Sequence, residues 1–69
     1  MSNESLAVAL PKEMTRVRVV LGHYRELGPV GKVGAIFIEH DLHAADVAVM
    51  SGDVVAMLRS FNKLKGIKS

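Results

Sequence analysis

The chain has 69 residues and no cysteine, with hydrophobic residues at 49% and charged residues at 23%. That length holds a single small domain; disulfides, thiolate metal sites and thiol nucleophiles are excluded, and the composition is too apolar for a disordered chain. Nine Lys and Arg against seven Asp and Glu give a formal charge of +2, too mild on its own to dictate a polyanionic partner.

Residues 1–10 read as a flexible arm, because Leu10 stands before Pro11 and a residue before proline is biased away from the α region. Their apolar run is short and lacks the flanking positive charge of a secretory signal. No stretch of the chain reaches the roughly 18 apolar residues that span a bilayer. A cytoplasmic protein without a membrane partner is therefore expected.

A first helix is expected over residues 11–27. Pro11 suits a first turn, and Met14, Val17, Val20, Leu21, Tyr24 and Leu27 form one broad apolar stripe. Gly28 supplies a left-handed residue after the helix, and Pro29 prevents its continuation. A second helix is expected over residues 31–50, with Gly31 and Gly34 at its start either fraying it or letting another helix come close. This helix is apolar on two faces. Val33, Ile36, Phe37, His40, Ala44, Val47 and Ala48 form one stripe, and Ile38, Leu42, Ala45 and Val49 form another roughly opposite. Such a helix is normally sandwiched, so Ile38, Leu42 and Val49 are expected to form an oligomer interface. A third helix is expected over residues 53–65, capped by Asp53 or Ser51, with a stripe of Val54, Met57, Leu58, Phe61 and Leu64. The short link through Gly52 makes the last two helices an antiparallel hairpin. The expected fold is all-α, a single helical domain over residues 11–66 of three helices.

A domain this small buries only about 60% of its unfolded surface. The mean hydropathy of +0.26 is nonetheless high. Covering the surplus apolar surface against a second copy resolves both facts, and a homodimer is expected.

Charge is unevenly placed. Glu39, Asp41, Asp46 and Asp53 lie in a segment without Lys or Arg, and Arg59, Lys63, Lys65 and Lys68 follow without an acid. Ion pairs along the hairpin are the simple expectation; the alternative is a basic surface of Arg16, Arg18, Arg25, Arg59 and Lys63 left open to an acidic partner. The isoelectric point of about 9.3 also admits nucleic acid. The third helix is a poor reader of bases, however, since it opens on Val54–Val55–Ala56–Met57.

Site chemistry is sparse. The run LGPVGKVG lacks the spacing and the hydroxyl that a phosphate loop requires. His40 and His43 are one turn apart with Glu39 and Asp46 nearby, a spacing a mixed metal site could use. The simpler reading has His43 contacting those acids and His40 held neutral in an interface, where protonation in acid would loosen the packing. Ser51, Ser60 and Thr15 have no nucleophile context, so neither an enzyme nor a cofactor is expected.

The segments RVRVVLGHYRELGPVG (Arg16–Gly31), IEHDLHAAD (Ile38–Asp46) and SGDVVAMLRSFNKLK (Ser51–Lys65) resemble small uncharacterised proteins of transposable, Mu-type phages and prophages of proteobacteria. The resemblance implies a setting rather than a chemistry: a bacterial cytoplasm, where small phage proteins bind and redirect host proteins, defence systems such as CRISPR included. The expected function is thus a non-catalytic protein that binds and modulates a bacterial host protein, with a small nucleic-acid-binding regulator as the alternative.

Overall fold

Two glycines with left-handed backbone, Gly28 (φ +68°) and Gly52 (φ +69°), punctuate the chain. The computed structural model describes residues 5–68, and within them the order is α1 (Leu6–Glu26), a 3-10 turn (Gly28–Gly31), α2 (Lys32–Ser51) and α3 (Val54–Lys65). No strand occurs among the described residues. The fold is all-α with three helices, as the periodicities require.

Helix α1 begins five residues before the expected start. Pro11 lies inside the helix and Ser5 is its N-cap. Residues 1–4 of the expected arm lie outside the described residues; residues 6–10 of it are helical. Pro11 cannot donate to the Ala7 carbonyl, but Leu10 is wholly buried and Leu6 packs against the same core. Burial of those two side chains offsets the one backbone bond that proline forfeits. The Thr15 hydroxyl donates to the Pro11 carbonyl at 3.1 Å, closing the turn from the other side.

The two left-handed glycines then act at helix ends. Gly28 follows α1 and lets Pro29 enter the 3-10 turn, while the Gly52 amide donates to the Ala48 and Val49 carbonyls and ends α2. Asp53 caps α3 as expected, its carboxylate accepting from the Ala56 amide at 3.1 Å. Gly31 and Gly34 permit close approach. A Cβ at Gly31 would collide with the Tyr24 carbonyl oxygen, and one at Gly34 would stand 2.5 Å from the Tyr24 ring.

The core is aliphatic. Helix α1 gives Leu10, Met14, Val17, Val20 and Leu21, α2 gives Ala35, Ile38, Leu42, Ala45 and Ala48, and α3 gives Met57 and Leu64. Leu27 is exposed rather than completing the α1 stripe. On α3 the buried arc is turned from the expected one, so Ser60 is buried and Val54 and Leu58 are exposed. Alanines on α2 and a serine on α3 at buried positions have little bulk, which suits closely approaching helices. Every pair of helices is in contact. The Cα trace measures 38 × 27 × 14 Å, and its least dimension is that of two helix layers, about 13–15 Å from an interaxial spacing of 8–10 Å.

Leu10→Ala should lower stability by about 2–5 kcal/mol, the usual cost of a cavity at a fully buried leucine. Gly31→Ala should also destabilise, through its clash with the Tyr24 carbonyl. Gly22→Ala, where a Cβ meets nothing within 4 Å, should instead stabilise by about 0.5–1 kcal/mol. Denaturant and thermal unfolding followed by circular dichroism measure all three.

Candidate functional site

The two apolar faces of α2 have exchanged their expected roles. Ile38 and Leu42, expected at an oligomer interface, are 5% and 7% exposed and belong to the core of a single chain. Val49 lies near the end of α2 and is 41% exposed. The opposite stripe faces outward: Val33, Ile36, Phe37 (67% exposed), Ala44 and Val47. His40 sits in the middle of this row with a 75% exposed side chain, 3.6 Å from the Asp41 carboxylate. The structure therefore does not bury His40 in the chain's own packing, because α1 and α3 both lie against the other side of α2.

Ion pairs to α1 accompany the orientation of α2. Arg18 reaches Asp46 at 3.8 Å and Arg25 reaches Glu39 at 3.2 Å. Both arginines are on α1 and seven residues apart, and both acids are on α2 and seven residues apart, as an antiparallel helix pair requires. The pairs line the edge of the α1–α2 contact. The ion pairs expected along the α2–α3 hairpin are thus replaced, at Glu39 and Asp46, by pairs to α1, since these acids project toward the first helix. A sequence signal for this register exists in the matched seven-residue spacing of bases and acids.

Arg16 also serves the fold. It is half-buried, holds Glu13 at 2.9 Å and donates to the Leu64 carbonyl at 2.8 Å, where a cation suits the last turn of α3. Three of the five residues expected on an open basic surface are therefore engaged within the chain. The other two, Arg59 and Lys63, are exposed one turn apart on α3 with no acidic partner among the described residues. Beside them Val54, Val55 and Leu58 are exposed, and the Lys65 ammonium stands 5.8 Å from the centre of the Phe61 ring. The outer face of α3 is aliphatic in its first half and basic in its second.

A shallow depression of about 380 Å³ lies where α1 meets the start of α2, lined by Arg25, Gly28, Pro29, Lys32, Ala35, Ile36 and Glu39. Its carboxylate is already tied to Arg25, and its lining offers no hydroxyl or imidazole. Among the described residues no group of three or more His, Asp or Glu side chains is placed to hold a metal ion. Glu39 and Asp46, the acids that flanked the histidines in the sequence, face the arginines of α1 instead. No helix among these residues is long and apolar enough to cross a membrane.

The arrangement is that of a small three-helix protein whose distinctive chemistry lies on exposed helix faces rather than in a cleft. Comparison of the chain with protein-family models, curated proteins and solved structures gives no match.

The two classes of cation should separate on mutation. Arg16→Ala should cost about 1–2 kcal/mol, because it removes a charge-assisted bond to a helix-end carbonyl. The exposed Arg25–Glu39 pair should show a coupling of only about 0.2–1 kcal/mol in a double-mutant cycle, and added salt should shrink it. Unfolding at low and high salt provides both measurements.

Proposed function

We propose that this protein is a non-catalytic interaction protein of phage or prophage setting, working in the bacterial cytoplasm as a homodimer, that binds a host protein and covers a surface which that protein needs. The observation that carries this reading is the outer face of α3. Val54, Val55 and Leu58 present an apolar patch, and Arg59 and Lys63 follow it with no acidic partner among the described residues. An apolar centre with a polar, solvent-accessible rim is the usual anatomy of a protein-binding patch, and arginine is enriched in such patches. It fits an acidic protein surface with a few exposed aliphatic side chains. The cations would steer the encounter and the aliphatics would supply desolvation.

Duplex nucleic acid is served less well by this geometry. Arg16, Arg18 and Arg25, which would extend a basic track across α1, each face a carboxylate of the same chain. Phosphate contacts there would have to displace existing pairs.

The test compares the wild-type chain with an Arg59→Glu/Lys63→Glu variant as bait in lysate of a bacterial host. The expected result is a discrete acidic host protein retained by the wild type, lost by the variant, and released as salt rises. Equal retention by both baits overturns the α3 assignment. A salt-sensitive mobility shift with DNA, abolished by the same variant, would favour the regulator reading instead.

A further inference from the structure

We infer that the outer stripe of α2 is the surface on which two copies of this chain meet, packed antiparallel about a two-fold axis at His40. The inference rests on the homodimer reading above and gives it a surface and a register. It moves the contact from Ile38 and Leu42, which the chain's own core consumes, to Val33, Phe37, Ala44 and Val47.

Three observations favour a second copy over a foreign partner. First, the stripe from Val33 to Val47 holds no Lys, Arg, Asp or Glu on its crest, so nothing there recruits a strongly charged surface, and the crest residue that would meet its own copy is the imidazole of His40. The basic patch that suits an acidic partner is on α3. Second, the stripe complements itself. Val33 and Val47 lie seven residues either side of His40, and Phe37 and Ala44 lie three before it and four after. Reversing one helix against the other sets the Phe37 ring over the partner's Ala44 and Val33 beside the partner's Val47, large against small in the manner of interdigitated ridges. A parallel pair would stack Phe37 on the partner's Phe37 and leave a gap between the alanines. Third, the area reaches the lower end of what a specific interface needs. Val33, Ile36, Phe37, His40, Ala44 and Val47 together expose on the order of 600 Å², against roughly 600–1,000 Å² per partner.

The absence of native cysteine allows a direct test. In light scattering the wild type should give twice the 7.5 kDa chain mass. Phe37→Glu, at an exposed position, should keep its helical circular dichroism and give the mass of one chain. On mild oxidation, a mixture of Val33→Cys and Val47→Cys chains should form 33-to-47 cross-links, Val33→Cys alone should link poorly, and His40→Cys should link to its own copy. A mass of one chain for the wild type at all concentrations overturns the homodimer reading together with this inference. A dimer that survives Phe37→Glu, or that links position 33 to position 33, overturns this inference alone and leaves a dimer through another surface.

Discussion

Helix α2 has an apolar residue in almost every direction, but only two other helices are available to cover it. Both pack on one side, so the side carrying Ala35, Ile38, Leu42, Ala45 and Ala48 is dry and the side carrying Val33, Ile36, Phe37 and Val47 is wet. A body two helix layers thick cannot do otherwise, whatever its sequence. The exposed stripe is thus a consequence of helix number rather than of loose packing. Burying it at about 25 cal/mol per Å² would add appreciably to the modest stability expected of so short a chain.

Within that constraint, charged side chains do two different jobs. Arg18 with Asp46 and Arg25 with Glu39 border the α1–α2 contact and match the way α2 is turned. Exposed pairs contribute little energy, yet rotating α2 by half a turn would separate all four charges and put two acids in place of a stripe. Arg16 joins the middle of α1 to the end of α3. Arg59 and Lys63 on α3 have no acidic partner among the described residues, and their position beside exposed aliphatics, rather than the net charge of the chain, is what recommends a protein partner.

The helix boundaries set by glycine and by capping were legible in the sequence. Gly28, Gly52 and Asp53 each impose a backbone geometry or a hydrogen bond that depends on the residue alone. The start of α1 was not. The local bias of Leu10 against helix is real, but it is outweighed by burial of Leu10 against residues that are distant in sequence. The assignment of α2's faces failed for a related reason. Two stripes of similar hydrophobicity cannot be ranked by periodicity, and the ranking depends on which acids meet which arginines on another helix. Arg59 and Lys63 were legible as a basic surface. Arg18 and Arg25 were legible as structural only through the seven-residue spacing they share with Glu39 and Asp46, and Arg16 was not, because the Leu64 carbonyl it meets is distant in sequence.

Pro11 carries a consequence for how the bundle comes apart. With no amide there to answer the Ala7 carbonyl, the opening turn of α1 is joined to the remainder by one backbone bond fewer than an uninterrupted helix would have. That turn is the natural place for a seam. Fluctuations that lift it away break few main-chain bonds, uncover the slot filled by Leu10, and leave the helix beyond Pro11 wound. A side chain wholly hidden from water is thus mounted on a turn that lacks one rung of its backbone ladder.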